Sequence, residues 1–198
     1  MSLPESTTIP PGLRTDLKFH NSGGVDNAEW LKFERKKNYT NAFIICGAKI
    51  LLGYKKRGLG KGLYNGFGGK VEAGETPMQA AKRELQEEAG IQAPLVHAGE
   101  LLFAVEGDPV AFHIDVFRAD EYAGYVIESE EMRPQWFDTG DSATVGGAGH
   151  QPIPFSQMWE DDVYWFPLLL ERKFFVGRAD VMRNGEQFAL YKWWFGTD

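Results

Sequence analysis

Gly69-Lys70-Val71-Glu72-Ala73-Gly74-Glu75-Thr76-Pro77-Met78-Gln79-Ala80-Ala81-Lys82-Arg83-Glu84-Leu85-Gln86-Glu87-Glu88-Ala89-Gly90-Ile91 sets a full group of helix-boundary signals around an unusual acidic register. Thr76 stands where a helix N-cap belongs, Pro77 fits the first helical position, and Gln79 can reach back as a capping-box partner. Met78, Ala81, Leu85 and Ala89 supply one apolar face, and Gly90 follows as the terminating residue. The pattern predicts a helix over 77–89. Glu84, Glu87 and Glu88 then fall at i, i+3 and i+4, which puts three carboxylates on one polar face. Such a face is commonly just a solvated one. Lys82 and Arg83 offset it only in part, however, and Mg²⁺ takes oxygen ligands of this kind and bridges them to substrate phosphates. The pair Gly68-Gly69 would let a backbone carbonyl approach the same ion.

Outward from this helix, the 198-residue chain reads as one α+β domain with a mixed sheet and appendages. Residues 42–46 and 50–52 read as buried strands about a turn at Gly47, and 95–105 and 110–117 as a pair joined around Gly107-Asp108-Pro109. Residues 174–182 and 187–194 flank Asn184-Gly185, a hairpin signal because both residues tolerate positive φ. Residues 1–30 are broken by Pro4, Pro10 and Pro11 and by Asn21-Ser22-Gly23-Gly24, and read as a poorly structured lead-in. Residues 139–151, rich in glycine, read as an inserted surface loop.

Composition narrows the function classes. Lys and Arg number 21 against 28 Asp and Glu, a net charge of −7, so a binder of nucleic-acid polymers is disfavoured. No apolar run approaches the ~20 residues of a membrane span, and residues 1–30 carry no signal-peptide or transit-peptide pattern. The one cysteine, Cys46, cannot form an internal disulfide and reads as a small core residue, which fits a reducing compartment. His20, His97, His113 and His150 lack metal-ligand spacing. The expectation is a cytoplasmic protein, with mitochondria or nucleus as further compartments, and no membrane partner.

Gly69, five residues, Glu75, seven residues, and then Arg83-Glu84-Leu85-Gln86-Glu87-Glu88-Ala89-Gly90-Ile91 resembles the Nudix box (69–91) of the Nudix hydrolases. Chance recurrence in a chain of this length is below roughly 10⁻⁷ from average residue usage. The flanks Lys55-Lys56-Arg57-Gly58, Asn65-Gly66-Phe67-Gly68-Gly69-Lys70-Val71, Glu131-Met132-Arg133-Pro134 and 158–167 look like the animal MutT-type members, which act on oxidised purine nucleoside triphosphates. The resemblance implies an N-terminal extension (1–38) followed by a Nudix domain (39–198). Its fold would be a mixed β-sheet packed between helices, an α/β/α sandwich. Implied too is a monomeric, Mg²⁺-dependent hydrolase (Mn²⁺ substituting) that converts a small nucleotide, 8-oxo-dGTP first, to the monophosphate and pyrophosphate and so cleanses the nucleotide pool. A Nudix enzyme of another nucleotide, such as a dinucleotide polyphosphate, an ADP-sugar or a capped RNA, is one rival reading. A catalytically silent nucleotide-binding Nudix domain is another.

By resemblance, Gly68, Glu84, Glu87, Glu88 and Glu131 hold the metal, and Arg83 orients a glutamate by charge-assisted hydrogen bonds. Glu88 and Glu131 are both candidates to orient or deprotonate the attacking water, and Glu75 ties the loop to the helix. Thr40, Lys55, Phe67, Gly68, Gly69, Lys70 and Phe103 line the nucleotide site. Asn65 offers an amide with donor and acceptor, which suits a base edge, or else a turn before Gly66. Asp161 and Asp162 are either helix caps or a carboxyl pair in which one member is protonated and donates to the purine. Asp161 is the weaker choice for that donor. Trp159 offers a stacking face. The chain departs from the animal enzymes at Leu59 and Val105, where they carry aromatics, and at Tyr64, where they carry Trp.

Overall fold

The structure, a computed structural model, describes residues 8–140, 150–185 and 187–198. In chain order its elements are β1 (Lys18–Gly24), β2 (Arg35–Cys46), β3 (Lys49–Lys55), β4 (Tyr64–Asn65), α1 (Pro77–Ala89), β5 (Ile91–Gln92) and β6 (Val96–Val105). There follow β7 (Val110–Ala119), β8 (Ala123–Gly124), β9 (Met132–Asp138), a 3₁₀ turn (Phe155–Gln157), α2 (Asp162–Leu170), β10 (Phe175–Asn184) and β11 (Gln187–Thr197). The class is α+β, with a mixed sheet. Residues 141–149 of the expected inserted loop lie outside the described residues. Among the described residues, no helix is long and apolar enough to cross a membrane.

The chain forms two compact units. One comprises residues up to Asn38, Ala98–Ile114 and Glu160–Asp198. Here β1 pairs antiparallel with β11, β11 with β10, and β10 runs parallel to β6. The lead-in was expected to lack structure, yet residues 18–24 are a strand. Their sequence, KFHNSGG, has no apolar alternation; the strand exists because β11 offers its edge. Ser22-Gly23-Gly24 pairs with Trp194, Trp193 and Lys192 of β11 and is not a turn, and a side chain on Gly23 would run into the Trp193 indole at 2.4 Å. At the C-terminal hairpin Asn184 still pairs with Gln187, so Gly185, at φ 64°, opens the turn one position later than Asn184-Gly185 implied.

Arg178 and Asp180 on β10 are fully buried in this unit and joined at 2.8 and 3.0 Å. Arg178 also donates to the carbonyls of Pro11 and Leu31, and Asp180 accepts from the Leu31 N–H at 2.6 Å. Leu13, Leu31 and Phe33 pack on Leu102, Ala104 and Ala111. The N-terminal arm is thus clamped by charge and covered by apolar contact.

The second unit comprises residues 39–97 and 115–159. β9 pairs with β3 along its whole length, so β3 offers its other edge to β2 over Lys49–Leu51 and then to β4 at Gly53 and Tyr54. The boundaries and caps of helix α1 follow the sequence reading. Thr76 and Gln79 form the capping box at 2.8 and 3.3 Å, Pro77 is first, and Gly90 ends the helix at φ 74°. Ala81, Leu85 and Ala89 pack with Ala42, Ile44, Leu51 and Phe67, and Met78 closes the rim of that core. Cys46 is half-buried, with burial raising its thiol pKa, and packs against the same core.

Candidate active site

The functional residues of α1 are sorted by their position around the helix. Glu84, Glu87 and Glu88 do not share one polar face. Glu87 stays exposed, whereas Glu88, at 3% exposure, turns in with Leu85 and Ala89. A residue at i+4 from Glu84 and i+3 from Leu85 borders the apolar stripe, and here the stripe wins.

Each carboxylate is met by a particular donor. Arg83 grips Glu75 in a two-pronged bond at 2.8 and 3.0 Å, and its third nitrogen reaches Glu84 at 2.8 Å and Glu87 at 3.2 Å. Arg83 therefore orients Glu84 and Glu87, and Glu75 anchors Arg83 to the loop. Glu88 accepts from the Gly68 N–H at 2.8 Å and lies 3.8 Å from the Lys55 ammonium. Glu131, just ahead of β9, is half-exposed and paired with Arg57, while its carbonyl accepts from the Lys56 N–H at 2.7 Å.

The glycine pair works by proximity. A side chain on Gly68 would strike the Thr40 carbonyl at 2.0 Å, and one on Gly69 would strike the Glu84 carboxylate at 2.4 Å. The strand-like run 67–69 can thus lie against β2 on one side and admit Glu84 on the other.

Electrostatics confirm the crowding. Burial pushes Glu88 up to about 7; Lys55 and the Gly68 N–H oppose that rise, while Glu84 and Glu131 add to it. Burial also raises Glu84, with Arg83 opposing and Glu87 and Glu131 adding. Such mutual repulsion between hard oxygen donors is what a divalent cation relieves. Among the described residues no three such side chains already converge on a metal position. Arg83, Lys55 and Arg57 occupy these carboxylates instead. The donor set fits a divalent ion, and its geometry as it stands is that of a cation-held cluster.

The expected substrate contacts fall out unevenly. Thr40 is buried on β2 and its hydroxyl finds no protein partner. Lys55 closes β3 beside Glu88. Phe67 is fully buried, and its N–H and C=O both pair with Ala42, so its part is packing beneath 65–69. Lys70 gives its carbonyl to Arg83 at 3.3 Å. Asn65 on β4 is half-buried and its Oδ1 accepts from the Gly66 N–H at 2.8 Å, so the turn reading is realised at the acceptor end. Trp159 is half-buried and lies against Gly60, where a side chain would meet the indole at 3.2 Å. Sequence reasoning missed Asn41, a buried asparagine between Thr40 and the apolar run 42–46; its polarity inside that run was the available signal.

In the other unit Phe103 is buried and meets Phe112 edge-on at 6.5 Å. Asp161 and Asp162 are both buried at the start of α2, and the Asp161 side chain makes no capping bond to the helix. Burial raises Asp161 to about 6, opposed by its own backbone and the Trp165 indole, with Glu160 adding. Burial of two adjacent carboxyls disfavours the doubly ionised pair.

Comparison with known proteins follows the same lines. The family model described as NUDIX domain matches residues 35–145. The oxidized purine nucleoside triphosphate hydrolase of Danio rerio is 47% identical over 142 residues, covering 71% of this chain and 84% of that protein. The Mus musculus protein of the same description is 46% identical over 140 residues, covering 70% and 83%. A solved MutT protein from Bacillus halodurans shares the fold at a TM-score of 0.64, with 22% identity, 80% of this chain covered and 97% of that one. Nudix hydrolases use divalent metal ions, in keeping with the donor set above. On its acidic helix, its fold and these relatives, the chain belongs to the Nudix family of hydrolases.

Proposed function

We propose that this enzyme hydrolyses oxidised purine nucleoside triphosphates, 8-oxo-dGTP first, to the nucleoside monophosphate and pyrophosphate, as a monomer acting on free nucleotide. The observation that carries the reading is the held carboxylate cluster around Gly68-Gly69, intact in a chain 46–47% identical to two hydrolases of that description. Mg²⁺ is the assigned metal, with Mn²⁺ able to substitute. Glu84, Glu87, Glu88, Glu131 and the Gly68 carbonyl would hold it. When bound, such an ion polarises phosphoryl oxygens and lowers the pKa of water.

The protein's own groups take separate roles. Glu88, buried and held by the Gly68 N–H, is the first candidate to accept a proton from water, with Glu131 the second. Arg83 positions Glu84 and Glu87, and the Lys55 ammonium faces the polyphosphate. The Thr40 hydroxyl, buried and without a protein partner, is satisfied by a ligand atom. Trp159 and Phe103 offer apolar surface to the base, Asn65 a hydrogen bond, and Asp161 with Asp162 a proton donor and an acceptor. Product analysis tests the reaction. Complete turnover of 8-oxo-dGTP with Mg²⁺ yields 8-oxo-dGMP and pyrophosphate; 8-oxo-dGDP and orthophosphate would contradict it.

Two variants examine the base contacts. Asn65→Ala raises the KM for purine triphosphates roughly 10-fold and changes kcat far less, the signature of lost binding. Equal effects on purine and pyrimidine substrates would restrict Asn65 to shaping its loop. For Asp161, the protonated form is the donor, so affinity falls as pH rises through about 6, and Asp161→Asn flattens that profile. The sign for stability is the same. A carboxyl raised from 3.8 to about 6 favours the folded state while neutral, so this contribution is lost between those values. Asp161→Asn therefore raises the Tm at pH 8 more than at pH 4. A variant with the wild-type affinity profile would remove Asp161 from base recognition.

A further inference from the structure

We propose that Asn41 is a specificity-determining residue: it locks the Asn65 amide so that only its NH₂ group faces the base, which selects 6-oxopurines over 6-aminopurines. The inference deepens the functional reading above and rests on Asn65 touching the base.

An asparagine amide can present either a donor or an acceptor, and the two ends exchange by a half-turn. Here the choice is removed. Asn65 Oδ1 accepts from the Asn41 Nδ2 at 2.7 Å and from the Gly66 backbone N–H at 2.8 Å, which takes both of its lone pairs. The Gly66 N–H can only donate and is fixed by the chain, so turning Asn65 over would set N–H against N–H. Asn41 is itself buried on β2 and has little room to give way. Gly66 completes the device. A side chain there would sit 2.2 Å from Asn41 Oδ1 and 2.8 Å from the Ala42 carbonyl, so only glycine lets the two asparagines meet.

The chemistry follows from polarity. With Oδ1 occupied, Asn65 has hydrogens alone to offer. Among purines sharing an oxidised C8, the C6 substituent is either a carbonyl, which accepts, or an amino group, which donates. A locked donor rewards the first and leaves two donors facing each other in the second. A site built to bond one group rejects an analogue of the wrong polarity because buried polar groups are left unpaired.

The test compares kcat/KM for 8-oxo-dITP and 8-oxo-dATP, which differ at C6 and in the attendant N1 proton. The ratio is unaffected by the folded fraction of any variant. Wild type favours 8-oxo-dITP by about 10- to 100-fold. Asn65→Asp keeps the acceptor for Gly66 and Asn41 but removes the donor, and collapses that preference. Asn41→Leu frees one side of the amide and lowers the ratio at least about threefold. Asn41→Asp, whose carboxylate can only accept, sets an acceptor against Asn65 Oδ1 and favours the turned amide at the cost of the Gly66 bond, so the ratio falls at least as far as in Asn41→Leu. If Asn65→Asp collapses the ratio while both Asn41 variants keep it, the lock is wrong and the base contact stands. If Asn65→Asp also leaves it unchanged, the base contact itself fails. A wild type without preference overturns the proposal outright. Should the Asn41 variants not fold, the Asn65 side-chain NH₂ resonances of the wild type decide: they shift on adding 8-oxo-dIMP but not 8-oxo-dAMP, and equal shifts refute the lock.

Discussion

Glu88→Gln lowers the turnover of 8-oxo-dGTP by at least ~10²-fold in saturating Mg²⁺, the lower range for a positioned acid–base group. The fold survives the change. Glutamine keeps an oxygen for the Gly68 N–H, and it removes a buried charge that the site disfavours. Glu88 is raised from 4.5 to about 7, so its carboxylate form costs stability progressively as pH rises between those values. The metal-free variant should therefore melt no lower than wild type at pH 8, and higher if anything. Turnover and thermal melting measured on one preparation check both halves. Near-wild-type turnover would remove Glu88 from the chemistry, and a large fall in Tm would mean that its anionic form supports the fold.

The largest effect on stability is expected at Arg178→Met. It strips the guanidinium from the fully buried Asp180 and also releases the bonds to the Pro11 and Leu31 carbonyls. Removing one partner of a buried ion pair costs about 3–5 kcal/mol, because the other charge is left uncompensated. For a chain of this size that is a fall in Tm of roughly 10 °C. Arg178→Met with Asp180→Leu should recover most of the loss, since two apolar side chains leave no stranded charge. Limited proteolysis should cut within residues 12–34 of the single variant first. A Tm within about 2 °C of wild type, with the arm still protected, would show that the clamp contributes little.

The sequence revealed the parts of this structure that local chemistry dictates. Thr76, Pro77, Gln79 and Gly90 act within one helical turn of the boundary they mark, so α1 was legible to the residue. The long strands β6, β7, β10 and β11 announced themselves through apolar runs. β1 did not, because KFHNSGG becomes a strand only when β11 lies alongside it. β9 was hidden by Arg133 and Pro134, which sit in the strand because β3 pairs with it along its length. At the site the carboxylates were readable, and Arg83 as a partner through the resemblance, but the pairing of Glu88 with Lys55 and the Gly68 N–H and of Glu131 with Arg57 was not. Spacing put Glu84, Glu87 and Glu88 together; only the packing of Leu85 and Ala89 shows that Glu88 is buried and Glu87 is not. Asn41 showed only as a polar residue beside an apolar run, since its meaning lies in an Asn65 amide 24 positions away.

The most direct test of the function is a comparison of kcat/KM in Mg²⁺ for 8-oxo-dGTP, dGTP, a dinucleotide polyphosphate, an ADP-sugar and a capped RNA, read by phosphate or pyrophosphate release. The proposal predicts that 8-oxo-dGTP leads this panel by at least about 10-fold, a margin that one well-placed hydrogen bond to the oxidised edge supplies. Faster turnover of any other member, or tight binding of 8-oxo-dGTP with no hydrolysis, would contradict it.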